Sequence, residues 1–257
     1  MDLSFWNATE KFVIDKLQPL FAANKFVIEL DGKVKPMKKL TLDLPWVFIR
    51  GRDFGDCYLY REVFFDVFGI VPAFCQYFCW KTIIKPRTVV ELFKLYEVLR
   101  RLNYPGKCGI EVRPHVKGSY GGYVYNNGKE EGLSRQPFIR KAVDEDISPD
   151  IPIYLKRGCT EFEHAIPTSK WQVSPDQNAV EQILMAIFQP ESVPVYQPQW
   201  IVNHVKRSWI YQAWNVGDET FKELLPEEDW ELFPKTIDYL TYEEKGEEGA
   251  DSAGEDQ

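Results

Sequence analysis

The stretch RTVVELFKLYEVLRRLNYPG, residues 87–106, constrains the fold more than any other part of this 257-residue chain. Val89, Leu92, Phe93, Tyr96, Leu99 and Leu102 recur there at the three- and four-residue spacing of one helix face. Thr88 stands where an N-cap belongs, and Pro105-Gly106 ends the run. Short apolar segments of strand character flank it: KTIIKP before, KCGIEVRPHV and GGYVYN after. A helix with one apolar stripe, set among strands of this kind, predicts an α+β fold. The sheet is expected to be mixed or antiparallel with a few packed helices, rather than a strict alternation of parallel units.

The remaining segments extend that reading. Phe12, Val13, Leu17, Leu20 and Phe21 predict an N-terminal amphipathic helix capped by Asn7 or Thr9, and FVIELDGKVKPMKKLTLDL predicts a hairpin turning at Asp31-Gly32. Residues 1–50 are thus a helix-hairpin subregion of a single main domain over 1–242. PWVFIRGRDFGDCYLYREVFFDVFGIVP reads as strand-like runs broken by glycines, NNGKEEG as a turn or exposed loop, and IPIYLKRGCTEFEHAIP as a strand entering a loop. SPDQNAVEQILMAIF predicts a helix with Ser174 as N-cap and Pro175 in its first turn, whereas VPVYQPQWIVNHVKRSWIYQAW reads as extended. The last fifteen residues, 243–257, are acidic and almost without apolar side chains, the composition of a disordered tail.

Charge divides the chain unevenly. Residues 217–257 carry fifteen acidic side chains against three lysines, so the whole-chain net of −8 leaves the first 216 residues at +4. Residues 81–171 alone hold sixteen Lys or Arg against eleven Asp or Glu. A mildly basic body of this kind is compatible with phosphate binding, and lacks the dense basic stripe of a dedicated duplex binder. No run approaches the roughly 18–20 apolar residues of a membrane span. The opening MDLSFWNATEKF has neither the basic nor the apolar region of a secretory signal, so a soluble cytoplasmic protein without membrane partners is expected.

Five cysteines carry most of the chemical information. Cys75 and Cys79 share the aromatic stretch FCQYFCWK, Cys108 lies in PGKCGIE and Cys159 in KRGCTEFE, the latter two beside glycine and basic residues that suit a thiolate. Cys75, Cys79, Cys108 and Cys159 would complete a tetrahedral zinc site or hold an iron–sulfur cluster, leaving Cys57 over. Their spacing is not one of the tight paired signatures, and buried free cysteine in a core is the competing reading. Cys159 with His164 or His115 is a further pairing by which a thiol could be activated.

Carboxylates and cations complete the candidate site. Glu161 and Glu163 share one face if their segment is extended, and with Glu111 they could hold Mg²⁺ for phosphodiester chemistry as the catalytic carboxylates. Arg113, Lys156 and Arg157 are the candidate phosphate ligands. The segment HVKGSYGGYVYNNGK interleaves Tyr120, Tyr123 and Tyr125 with Lys117 and Lys129, the aromatic and cationic mixture that stacks bases and neutralises phosphates. Together these residues predict a zinc- or iron–sulfur-binding protein that acts on or binds nucleic acid or a phosphorylated ligand. The alternative is a non-enzymatic structural or assembly protein, an oligomer built on the aromatic surface of residues 193–214.

Overall fold

The computed structural model describes residues 10–23, 26–28, 34–36, 45–51, 57–188 and 197–226. The chain is α+β and divides into two compact units, residues 1–221 and 222–257, and every described strand belongs to the first. Of the second, only residues 222–226 are described. The expected Asp31-Gly32 turn, the Asn7 and Thr9 caps and the acidic tail lie outside the described residues.

Five strands form one sheet: β3 (Trp46–Arg50), β4 (Cys79–Ile84), β5 (Gly106–Ile110), β6 (Tyr120–Asn127) and β7 (Ile153–Arg157). Their order is β3-β5-β6-β4-β7, and every neighbouring pair is antiparallel. The N-terminal strands β1 (Phe26–Ile28) and β2 (Val34–Pro36) pair separately, Phe26 against Pro36. Among the described residues, edge strand β3 is covered by a side chain rather than by a further strand. Gln197 accepts from the Phe48 N–H at 2.7 Å and donates to the Trp46 carbonyl at 3.0 Å.

One sheet face carries three helices, α4 (Val89–Leu102), α5 (Lys129–Asp146) and α8 (Gln199–Asn215). Thr88 caps α4 as its sequence requires, accepting from the Glu91 N–H at 3.2 Å. Its buried stripe is Val89, Leu92, Leu95, Val98 and Leu99, turned from the expected one so that Phe93 and Tyr96 are only partly covered. Asp218 ties this layer to the sheet by accepting from the Val89 N–H at 2.6 Å and from the Tyr120 hydroxyl at 2.7 Å.

Helices α5 and α8 differ from the sequence reading. Residues 129–146 are helical although their composition is polar and includes Pro137, because Gly132 lets α5 lie close against the sheet. A Cβ at Gly132 would stand 2.5 Å from Leu155 Cδ1. The stretch expected as extended is helix α8, with Ile201, Val202, Val205, Trp209 and Ala213 buried along one side. Its β-branched and aromatic content imitates a strand, but burial repeats at helical spacing.

The other sheet face meets a second apolar cluster. Helix α1 (Glu10–Ala22) contributes Val13 and Leu17, and α7 (Pro175–Phe188), capped by Ser174, contributes Val180, Leu184 and Phe188. Between them runs a short helix, α2 (Cys57–Leu59), that widens into a π-helix over Tyr60–Phe65 and replaces the strand expected there. Helix α3 (Ala73–Tyr77) then leads into β4, so FCQYFCWK is half helix and half strand.

Candidate functional site

Strand alternation decides which side chains enter the gap between the sheet and this second cluster. Lys107 pairs with Phe48 on one side and Tyr123 on the other, Lys81 pairs with Tyr125 and Lys156, and all of these positions share the face away from α4, α5 and α8. The gap is a cavity of ≈ 440 Å³ lined by Lys81, Lys107, Arg113, Tyr123 and Tyr125 from the sheet side. Tyr60, Arg61 and Glu62 of the π-helix line it, as do Cys57, Cys75, Cys159, Thr160 and Glu161.

Gly158 makes the last group reachable. It holds φ at +67°, a conformation costly for other residues, and a Cβ there would stand 2.4 Å from the Trp171 ring. The chain therefore turns at the end of β7, placing Cys159 and helix α6 (Thr160–Ala165) over the cavity. Cys159 Sγ accepts from Lys81 Nζ at 3.2 Å. A hydrogen bond with Cys79, reinforced by burial, pushes the Cys159 thiol well above its ordinary range, against the pull of the Lys81 charge. Cys75 is raised in the same way by Cys79 and by burial.

The carboxylates are committed to cations. Arg113 Nε and Nη2 donate to the two Glu111 oxygens at 2.7 and 2.5 Å, Nη1 donates to Glu161 Oε1 at 2.9 Å, and the Tyr123 hydroxyl donates to Glu111 Oε2 at 2.7 Å. Burial works to raise the Glu111 carboxyl, but the bonds from Arg113 and Tyr123 outweigh it and hold it below the usual carboxylate range. Glu161 is likewise held down. Glu163 pairs with Lys156 instead, because the segment is helical and residues two apart point in different directions. Arg157 donates to the Thr168 carbonyl at 2.8 Å and lies over Trp171.

Lys107 stands apart from these pairs. Its Nζ lies 4.1 Å from the Trp46 ring centre, 5.7 Å from Tyr123 and 5.9 Å from Phe48, an aromatic box open to the cavity. Among the described residues it has neither a hydrogen-bond acceptor nor a carboxylate partner. Burial first, then the charges of Lys81 and Arg113, push its pKa down to about 8. Lys156 is also lowered to about 8, chiefly by burial and then by Lys81.

The four-cysteine metal site is overturned. Cys108 neighbours Lys107 on β5 and so points to the opposite face, fully buried on the side of α4 and α8, where burial raises its thiol strongly. Cys75, Cys79 and Cys159 do converge. Yet among the described residues no group of three or more His, Cys, Asp or Glu is disposed to hold a metal ion, and the metal-binding function expected from the sequence is withdrawn. His115 and His164 stack on each other with ring centres 4.3 Å apart. Tyr120, Tyr123 and Tyr125 are all buried, Tyr120 on the helix-bearing face and the other two toward the cavity.

Sequence reasoning missed Lys81, Lys107, Arg61, Trp46 and Phe48 as site residues. The available signal was a lysine at a single position inside each of two apolar strands, CWKTII and GKCGI. Among the described residues no helix is long and apolar enough to cross a membrane. No family model, curated protein or solved structure matches the chain.

Proposed function

We propose that the cavity between the sheet and the π-helix binds a small phosphorylated molecule. The observation that carries this reading is Lys107, a largely enclosed ammonium that faces the cavity from an aromatic box and has no acidic partner among the described residues. An ammonium in that setting gains when an anion arrives, since among the described residues no carboxylate is paired with it. With Lys107 the lining holds four cations, the others being Lys81, Arg61 and Arg113, against the two carboxylates Glu62 and Glu161. Tyr60, Tyr125 and Phe48 offer flat apolar surface for the rest of the ligand. The volume suits a small molecule and is too confined for a duplex.

Calorimetric titration of the full chain with inorganic pyrophosphate tests the proposal. Binding should weaken with added salt and as pH rises through about 8, where Lys107 loses its proton. Lys107→Met removes a charge-assisted contact worth about 1.5–3 kcal/mol, a loss of roughly ten- to a hundredfold in affinity. Equal affinity in that variant, or no binding by the parent protein, would overturn the reading.

A further inference from the structure

We infer that Lys107 is a carbonyl-capturing amine, which condenses with an aldehyde or ketone group of the phosphorylated ligand to form an imine. The inference rests on the phosphate-binding reading of the cavity and adds the reactive group of the ligand.

Three observations point to an amine held for chemistry. The first is its surroundings: the rings of Trp46, Phe48 and Tyr123 lie around Lys107 Nζ, and no described acceptor fixes its proton. The second is the contrast with its neighbours. Lys81 Nζ donates to Cys159 Sγ at 3.2 Å, and Lys156 Nζ is paired with Glu163, so both have partners that a condensing amine would have to leave. The third is charge. Lys81 and Arg113 face Lys107 and disfavour its protonation, while Glu161 and Cys57 act weakly the other way. Burial beside other cations is the arrangement that frees a lysine for imine formation.

With a pKa of about 8, about a quarter of Lys107 is neutral at pH 7.5, against about one part in a thousand for an unperturbed lysine. The step balances without a further reagent. The Nζ lone pair attacks the carbonyl carbon and forms the C–N bond. The carbonyl oxygen then leaves as water, carrying the two amine hydrogens, and a C=N bond remains. Lys81 and Arg61, also in the lining, are left to hold the phosphate while Lys107 reacts.

The test uses three probes on the full chain: pyridoxal 5′-phosphate, which has aldehyde and phosphate, pyridoxal, which lacks the phosphate, and pyridoxine 5′-phosphate, which lacks the aldehyde. Reduction with borohydride followed by peptide mapping should place one adduct on Lys107. It should form at least about tenfold faster with pyridoxal 5′-phosphate than with pyridoxal, and pyridoxine 5′-phosphate should slow it. Lys107→Arg keeps the charge but cannot condense, so it should lose the adduct while still being stabilised against heat by pyridoxine 5′-phosphate. Mapping on the parent protein needs no variant, so a misfolded Lys107→Arg chain leaves the question decidable. Adducts on Lys81 or Lys156, or spread over surface lysines at one rate, would refute the inference. Binding of pyridoxine 5′-phosphate without an adduct at Lys107 would refute it while leaving the phosphate site standing. Equal labelling of Lys107 by pyridoxal and its phosphate would support the amine and remove the phosphate.

Discussion

Replacing Glu111 by Gln perturbs the network beneath the cavity without changing its shape. The Glu111 side chain is 0% exposed and that of Arg113 22%, so this ion pair is largely withheld from water. Glu111 accepts four bonds, from Arg113 Nε, Nη2 and backbone N–H and from the Tyr123 hydroxyl. Glutamine retains one acceptor oxygen and turns an N–H₂ toward donors, leaving at least one donor unpaired and the guanidinium poorly compensated. Breaking a buried pair from one side costs about 3–5 kcal/mol. The lower end, about 3 kcal/mol, applies because Arg113 keeps Glu161 at 2.9 Å. With a urea m-value of about 3 kcal/mol/M, the unfolding midpoint should fall by about 1 M at unchanged slope. The pH dependence supplies a second readout. The folded-state pKa of Glu111 is depressed, so its stabilisation is present above about pH 4.3, the unfolded value, and is lost as pH falls through the folded value. The parent protein should therefore lose stability on acidification in a window where Glu111→Gln stays flatter. A midpoint shift under about 0.3 M, or parallel pH profiles, would show that the network contributes little and that its geometry has been overvalued.

Two further expectations follow from the same contacts. Glu161→Gln removes the carboxylate nearest the cavity that neutralises Arg113, so pyrophosphate should bind about three- to tenfold more tightly, read by calorimetry; weaker binding would mean that Glu161 positions Arg113 rather than competing for it. A thiol reagent such as dithionitrobenzoate, added to the native protein, should modify the exposed Cys57 first and Cys108 only on unfolding, since Cys108 is 0% exposed and its thiol is strongly raised; rapid native labelling of Cys108 would contradict its placement under α4 and α8.

Local signals carried much of the architecture. Helices α4 and α7 follow from caps and apolar spacing, with Thr88 and Ser174 each accepting the expected backbone N–H. Strands β4, β5, β6 and β7 follow from short runs of apolar and aromatic residues. Where the reading failed, a tertiary contact outweighed local preference. Gly132 and Pro137 argue against helix in isolation, yet α5 gains Ile139, Ala142 and Val143 as core residues against the sheet. In α8 the residues Trp209, Ile201 and Val205 favour a strand by type and a helix only by spacing.

The site was less legible because it depends on register rather than on pattern. Lys81 and Lys107 lie two strands apart in the sheet, with β6 between them, and enter the same cavity only because Lys107 faces Tyr123 while Lys81 faces Tyr125. A one-residue slip of β4 would send Lys81 to the helix-bearing face, and one of β5 would send Lys107 there and Cys108 toward the cavity. The cysteine hypothesis failed at this step: it joined residues by shared chemistry, whereas alternation on β5 separates Cys108 from the other thiols and delivers Lys107 in its place. A lone lysine inside an apolar strand is a costly residue unless something compensates its charge. GKCGI and CWKTII each carry that cost in their sequence, and the aromatic box around Lys107 shows how one of the two lysines is sheltered without being neutralised.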